Sequence, residues 1–158
     1  MLAFVTMLTT GCKNKCGTTT CQNGGSCESN ICICPRGYSG SSCQNSWSSA
    51  VVGTYTCTNA NCNPATASRA SWQSVVTADA TNGGYTVDIT NFDGNNTTVV
   101  ANVDSPRHGL NVLTISNSIG INANGSYDSA TQKISLHYGV YTTGVSSYTC
   151  DMIMSRIH

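Results

Sequence analysis

Charged side chains are scarce in this sequence. Asp, Glu, Lys and Arg together make up 9% of the residues, and seven basic residues balance seven acidic ones. A protein that binds nucleic acid needs a basic face that displaces counterions from phosphates, and the sequence contains no cluster of Lys or Arg. A polybasic patch for anionic lipids is missing for the same reason. The composition therefore excludes nucleic acid as a partner and an electrostatic contact with a membrane.

Long apolar runs are absent as well. None reaches the about 20 residues that a helix needs to cross a bilayer. The apolar stretch at the start of the chain has the length of a signal-peptide core, but it lacks the usual basic beginning. We interpret residues 1–12 as the remnant of a signal peptide and lipobox, either clipped or preceded by further residues.

Cys12 ends this apolar stretch. The small residues Thr9-Thr10-Gly11 precede it, and a polar tether follows. This order resembles that of bacterial lipoproteins, in which such a cysteine is acylated, although Thr9 stands where the usual leucine is found. The resemblance implies an exported protein, anchored at the outer membrane or extracellular, whose only membrane contact is the lipid on Cys12.

Cysteine, in contrast, is abundant. There are ten cysteines, and seven of them fall between positions 12 and 43. Zinc binding is disfavoured because Cys32-Ile33-Cys34 does not make a CxxC knuckle and no His lies near the cluster. In an exported chain this density indicates disulfides formed in an oxidising compartment. We expect no metal and no cofactor.

Six of the cysteines have a specific spacing. Gaps of four, five, four, one and eight residues separate Cys16, Cys21, Cys27, Cys32, Cys34 and Cys43. Together with the turn sequences "NGGSC" and "CPRGYSGSSC", this block resembles an EGF-like module, which we assign to residues 13–45. The resemblance implies the pairs Cys16–Cys27, Cys21–Cys32 and Cys34–Cys43. It also implies no calcium, because cationic Lys13-Asn14-Lys15 stands where calcium-binding members carry acidic residues.

The rest of the chain, residues 51–158 after a Ser-rich linker at 46–50, reads as all-β, since helix formers are scarce and β-branched residues plentiful. Turn-forming clusters divide it into eight strands at 51–58, 72–79, 84–92, 97–104, 110–116, 119–127, 133–141 and 146–157. Eight strands in meander order predict an antiparallel up-and-down barrel, because closure leaves no exposed edge. A two-sheet β-sandwich is the alternative.

The sequence pattern from "GTY" to "YTCDMI" resembles the small lipocalin-like domains at the C-termini of Bacteroidota lipoproteins. Alternation of apolar and polar residues predicts which side chains face the interior. These are Val87 and Ile89 on the third strand, Ile134, Leu136 and Tyr138 on the seventh, and Tyr148, Cys150, Met152 and Met154 on the eighth.

Four cysteines remain outside the EGF-like block. The first and last strands of a closed barrel are neighbours, so we expect Cys62 to pair with Cys150 and close a long loop. Cys57 is then free. A Cys57–Cys150 bond, or a Cys57–Cys62 bond with Cys150 free, stays open, as does a bond between Cys12 and the leftover cysteine.

Motifs of catalysis are lacking. The sequence has no GxSxG, no HExxH and no phosphate-binding loop. We expect the histidines His108, His137 and His158 to face solvent. Four aspartates at strand ends, Asp79, Asp93, Asp104 and Asp128, are expected to be ordinary turn residues. An enzyme is therefore not expected.

Binding is the predicted role, with a protein or glycan partner at the cell surface. Adhesion, capture of a glycan or peptide, and service as an accessory subunit of an outer-membrane assembly all fit. Trp47 and Trp72 are candidates for stacking on a ligand, and Ser129 in Asp128-Ser129-Ala130 is a candidate for O-glycosylation.

Two alternatives stay open. One is a lipocalin-like carrier of a small apolar ligand, which needs a cavity of about 300 Å³ or more. The other is a structural subunit that assembles with itself into an extracellular filament or surface layer.

Overall fold

A computed structural model describes residues 16–17, 20–79, 81–104, 111–116, 120–141 and 147–158, with the side chains of 111–116 left out. The proposed signal segment, Cys12 and His108 lie outside the described residues. In the described part, helix is confined to two short 3₁₀ turns, Ser48–Ala50 and Ala65–Ala67. Neither turn has the length or the hydrophobicity of a membrane-spanning helix.

Three disulfides hold the cysteine-rich segment, residues 16–46. They join Cys16 to Cys27, Cys21 to Cys32 and Cys34 to Cys43, the same pairs that the family resemblance implies, with Cα–Cα distances of 5.2–6.0 Å. The segment contains two small hairpins, β1 (Ser26–Glu28) with β2 (Ile31–Ile33) and β3 (Tyr38–Ser39) with β4 (Asn45–Ser46). Ile31 and Ile33 are 65% and 51% exposed, so cross-links rather than apolar burial stabilise this segment.

Eight longer strands form a closed antiparallel barrel. They are β5 (Gly53–Asn63), β6 (Trp72–Ala78), β7 (Thr86–Phe92), β8 (Thr97–Val103), β9 (Asn111–Ser116), β10 (Ile121–Asp128), β11 (Lys133–Val140) and β12 (Tyr148–Arg156). Each strand pairs with the next along the chain, and β12 pairs with β5 to complete the ring. The predicted up-and-down barrel is confirmed, and the two-sheet alternative is wrong, because each of these strands is hydrogen-bonded on both sides.

The barrel core follows the alternation of the sequence. On β11, Ile134, Leu136 and Tyr138 are buried while the residues between them are exposed. The inward side chains predicted for β7 and β12 are also buried, except that Tyr148 is half-buried. The largest fully buried side chains fill the interior: Tyr55, Phe92, Ile89, Ile134, Tyr138, Met152 and Met154. This burial supplies the main stabilisation of the barrel.

The first barrel strand is longer than predicted, because β5 runs to Asn63 rather than ending at 58. Its polar second half pairs with the start of β12 across an irregularity between Thr149 and Asp151. This pairing places Cys62 beside Cys150, and the two form a disulfide with a Cα–Cα distance of 4.1 Å. Cys57 is buried and takes part in no disulfide of the described residues.

The two ends of the barrel differ in what adjoins them. We call the end where β5 begins and β12 finishes the near end, and the opposite end, where β5 finishes and β12 begins, the far end. The cysteine-rich segment docks on the near end. There the amide of Ser48 donates to the carbonyl of Gly84 over 2.9 Å, and the Arg36 guanidinium lies 4.5 Å from the ring centre of Tyr85.

Candidate functional site

A buried carboxylate lies at the far end of the barrel. Asp93 follows β7 in the β7–β8 turn, has a backbone φ of 55° and is only 2% exposed. The hydroxyl of Tyr138 donates to its Oδ1 over 2.5 Å, and the hydroxyl of Tyr148 donates to its Oδ2. Burying a carboxylate costs free energy unless donors replace its water, and these two phenols, on β11 and β12, supply that replacement.

Arg69 brings the opposite charge to this carboxylate. Its Nε lies 3.6 Å from Oδ2 of Asp93, and its side chain is 39% exposed. Arg69 lies in the loop between β5 and β6. Its backbone amide donates to Oδ1 of Asn59 on β5 over 2.9 Å, which holds this part of the loop against the strand. The amide nitrogen of Asn59 in turn donates to the Tyr138 hydroxyl over 3.2 Å. Side chains from β11, β12 and the β5–β6 loop therefore meet at Asp93, and Asn59 of β5 supports two of them.

The electrostatics keep both phenols protonated. Burial raises the pKa of Tyr138, and the hydrogen bond to Asp93 and its negative charge raise it further. Burial and the same carboxylate raise the pKa of Tyr148. Burial acts to lower the pKa of Arg69, but the hydrogen bond to Tyr148 and the charge of Asp93 outweigh it and raise that pKa. Both phenols are therefore neutral donors to the carboxylate, and Arg69 remains a cation.

A pocket of about 180 Å³ opens beside Asp93. Its walls are formed by Phe92, Asp93, Asn95, Thr97, Ile121, Val140 and Tyr148. The side-chain amide of Asn95 donates to Oδ2 of Asp93 over 3.3 Å. The pocket thus combines an apolar wall with a charged, hydrogen-bonded end, which is the usual composition of a ligand site.

A second polar group lies on the outer wall of the barrel. The Nδ1 atom of His137 is 2.7 Å from Oδ1 of Asp151, and Asn61 donates to Oδ2 of the same carboxylate over 2.8 Å. The hydrogen bond from Asn61 and that from His137 lower the pKa of Asp151. Both members of the pair are exposed, at 62% and 45%, as predicted for His137.

This pair borders a groove of about 440 Å³ in the outer wall. Its floor is apolar, because Gly125 on β10 has no side chain to cover Leu136. In the described structure no hydroxyl or thiol is hydrogen-bonded to His137, so the pair has the base and the carboxylate of a catalytic triad but not its nucleophile.

The structure places the two predicted stacking residues against the core. Trp47 and Trp72 are both half-buried, and each packs on the barrel interior. The indole nitrogen of each is buried without a partner among the described residues. Neither residue lines the pocket beside Asp93, and their ligand-stacking role stays a prediction. Ser129 is exposed in the β10–β11 turn, where a modifying enzyme can reach it.

The aspartates at strand ends divide into two kinds. Asp79 and Asp128 are turn residues as predicted, since each accepts a backbone hydrogen bond from the residue two positions on. The same prediction for Asp93 is wrong, because its carboxylate points into the barrel and binds two tyrosines. Asp93-Gly94 has the composition of an ordinary turn, so the sequence contains no signal that separates it from the other aspartates.

Among the described residues, no group of three or more His, Cys, Asp or Glu side chains is placed to hold a metal ion. The comparisons with known proteins add no relative: no protein-family model, curated protein or solved structure matches this chain. The far-end cluster is therefore the feature on which a functional interpretation depends.

Proposed function

We propose that this protein is an exported, lipid-anchored binding protein of the cell surface that engages a protein or glycan partner through the far end of its barrel. In this proposal the cysteine-rich segment is an EGF-like spacer, the barrel is lipocalin-like, and Cys12 carries the lipid. The supporting observation is the position of the docked segment. It occupies the near end, which leaves the far end, with its buried charge and pocket, directed away from the proposed anchor.

Binding is favoured over catalysis by the chemistry of the cluster. A general acid or base must exchange a proton near neutral pH, whereas the raised pKa values of Tyr138 and Tyr148 keep these groups in one protonation state. Asp93 is surrounded by donors that fix its position. Such an arrangement recognises a ligand by charge and hydrogen bonds without reacting with it.

The filled interior disfavours the carrier alternative. Phe92, Tyr138 and Met152 are fully buried inside the barrel, and the rings of Phe92 and Tyr138 pack edge to face with their centres 5.2 Å apart. The pocket that remains at the far end, about 180 Å³, is smaller than the about 300 Å³ at which ligand cavities usually begin. The barrel therefore accommodates one chemical group of a larger partner better than a whole apolar molecule.

The anchor is tested by intact mass spectrometry of the protein purified from its native membrane. We expect a mature chain that begins at Cys12 and carries the mass of its acyl chains, and a Cys12→Ser variant that leaves the membrane fraction. Cys57→Ser is the matched control and should stay membrane-bound. A mature chain that retains residues 1–11, or that starts at Cys12 without acyl mass, contradicts the anchor.

Two arginine substitutions, one at each end of the barrel, test which end binds the partner. Asn95→Arg fills the far-end pocket, whereas Ser129→Arg changes an exposed turn at the near end. On arrays of surface glycans and peptides we expect the first substitution to abolish the binding shown by the unmodified protein and the second to preserve it. Loss of binding with Ser129→Arg alone would assign the partner to the near end.

A further inference from the structure

The polar groups that face the far-end pocket are mainly acceptors. A tyrosine has a single O–H, and both Tyr138 and Tyr148 use theirs on Asp93. The oxygen of Tyr148 is therefore an acceptor, and the donor to it in the free protein is Arg69. Asn95 directs one N–H at the same carboxylate, which leaves its Oδ1 as an acceptor and its second N–H as a donor. Apart from that N–H and the Thr97 hydroxyl, a ligand meets a carboxylate and neutral oxygens, which favours a ligand that brings donors.

The charge at the pocket is only loosely balanced. Arg69 approaches Asp93 through Nε alone, at 3.6 Å, and not through the paired, parallel hydrogen bonds that make guanidinium–carboxylate contacts strong. More than a third of its side chain is exposed, whereas Asp93 is 2% exposed, so the buried carboxylate still needs a positive partner when Arg69 leaves. A better-placed cation supplies that charge and can therefore displace Arg69 into solvent.

The remaining walls of the pocket are apolar, and they determine which kind of chain a ligand can place there. Ile121 and Val140 are aliphatic, and the edge of Phe92 continues the apolar surface inward. A volume of about 180 Å³ accepts a chain of a few methylenes that ends in one polar group. A bare divalent cation fits poorly, because calcium takes six to eight oxygen ligands, usually from several carboxylates, and only Asp93 is available here.

We propose that the far-end pocket binds a primary ammonium group on a short alkyl stem, with Arg69 as the internal cation that the ligand displaces. The ammonium donates its three N–H groups to Asp93, Tyr148 and Asn95, and the stem lies between Ile121 and Val140. The inference rests on the proposed function, since it names the group that the far end recognises. A free alkylamine and a lysine side chain both carry this chemistry.

The test is a titration of the full-length mature protein with n-butylammonium, followed by NMR of the backbone amides of Asn95 and Thr97. n-Butanol and butyrate serve as neutral and anionic probes of the same length. We expect only the ammonium to shift the far-end resonances. Nα-acetyl-lysine methylamide separates the two sources: tighter binding than butylammonium points to a lysine of a protein partner, and weaker binding to a free amine.

Two charge variants and a control sharpen the test. Asp93→Asn should weaken butylammonium binding about tenfold or more, the usual effect of losing a charge-assisted hydrogen bond. Arg69→Gln should tighten it about threefold or more, because the competing cation is gone. Arg36→Gln removes an arginine at the near end and should change nothing. If Asp93→Asn fails to fold, Tyr148→Phe, which keeps the ring, should weaken binding severalfold.

The outcomes separate this inference from the proposed function. If butanol or butyrate shifts Asn95 and Thr97 as strongly as butylammonium, the far end is a binding site but the ammonium class is wrong. The same conclusion follows if Arg69→Gln weakens binding, because Arg69 is then itself a ligand group. If butylammonium shifts no far-end resonance at its highest soluble concentration, the inference is overturned, and the proposed function is then judged by the arginine variants on the arrays.

Discussion

Both ends of the barrel place one charged side chain among tyrosines, yet the two ends differ in what those charges do. At the near end the Nη2 of Arg156 donates to the carbonyls of Ala50 and Val52, over 2.8 and 2.7 Å, and lies 3.0 Å from the Tyr55 hydroxyl. At the far end Asp93 receives hydrogen bonds from two phenols and borders a pocket. Arg156 therefore joins separate segments of the chain, whereas the surroundings of Asp93 leave room for another molecule.

The Arg156 guanidinium at the near end also contacts aromatic rings. Besides its hydrogen bonds, the Arg156 guanidinium lies over the rings of Tyr55 and Tyr127, at 5.5 and 5.8 Å from their centres. The Tyr55 hydroxyl donates to the carbonyl of Val51 over 2.7 Å. Because backbone carbonyls accept from Arg156, its position is fixed by the fold. Among the described residues, the donors to the Asp93 carboxylate are side chains, so its surroundings can change without the strands separating.

The largest expected effect concerns the covalent link at the far end. Replacing Cys62 and Cys150 by alanine should lower the free energy of unfolding by about 4 kcal/mol, since the bond closes a long loop of the unfolded chain. Urea denaturation without reductant measures this change. Cys57→Ala is the control, a buried thiol outside any described disulfide, and should cost about 1 kcal/mol. Equal losses in the two variants would mean that the disulfide adds little.

The contributions of Arg156 and Asp93 to the free energy of unfolding can be compared directly. Arg156→Met should cost about 3 kcal/mol, because it leaves two carbonyls and a phenol without their donor. Asp93→Asn should cost less, about 1 kcal/mol, since an amide oxygen still accepts from one tyrosine. Thermal and urea unfolding give both values. If Asp93→Asn is the more damaging of the two, both ends are structural clamps and the proposed distinction fails.

The docking of the cysteine-rich segment leaves no room for a side chain at Gly84. Gly84 has a φ of +66°, and a Cβ there would meet the Gly37 carbonyl oxygen at 2.7 Å and the Tyr38 ring at 2.8 Å. Gly83 has nearly the same φ, +62°, but open space around it. We expect Gly84→Ala to cost about 2 kcal/mol and Gly83→Ala about 1 kcal/mol. Proteolysis between the segment and the barrel should accelerate only for Gly84→Ala.

A final expected effect is that the free energy of unfolding depends on pH in the alkaline range. Burial raises the pKa of Tyr138 above the ordinary value of 10.0, so the folded state keeps a proton that the unfolded state loses. The resulting stability is complete below pH 10 and is lost as the pH rises toward the folded pKa, at about 1.4 kcal/mol per pH unit. Tyr138→Phe should reduce the slope in alkaline unfolding titrations by the contribution of this one tyrosine.

Tyr55→Phe is the matched near-end variant for this measurement. Burial also raises the pKa of Tyr55, but the hydrogen bond and the charge of Arg156 oppose that shift. We therefore expect a smaller change of slope than for Tyr138→Phe. Equal changes of slope for the two variants would show that Arg156 beside Tyr55 and Asp93 beside Tyr138 have no effect on the ionisation of these phenols.

Most of the barrel could be predicted from the sequence because its signals are local. The alternation of Ile134, Leu136 and Tyr138 defines a strand with one inward face, and clusters such as Asp128-Ser129-Ala130 end each strand. The end of β5 could not be predicted in the same way. Its polar residues up to Asn63 resemble a loop, and they are extended only because β12, far along the chain, pairs with them.

The far-end cluster could not be predicted from local sequence patterns for the same reason. Asp93 is 45 residues from Tyr138 and 55 from Tyr148 in the chain. Only barrel closure brings the three together, and only their mutual contact turns a turn aspartate into a buried charge. Tyr138 was predicted to face inward, but its hydroxyl partner depended on which loop lay above it. Arg69 gave no signal, because it lies in a polar loop without periodicity.

The bond between Cys62 and Cys150 has a consequence for resistance to proteolysis. The sequence separation of its two cysteines is 88, so most loops of the barrel lie within the segment that the bond encloses. Exposed loops are where proteases cut a folded chain. A cut in any enclosed loop leaves two fragments that are still covalently joined and still paired in one sheet, so the protein can be nicked at its surface and remain a single molecule.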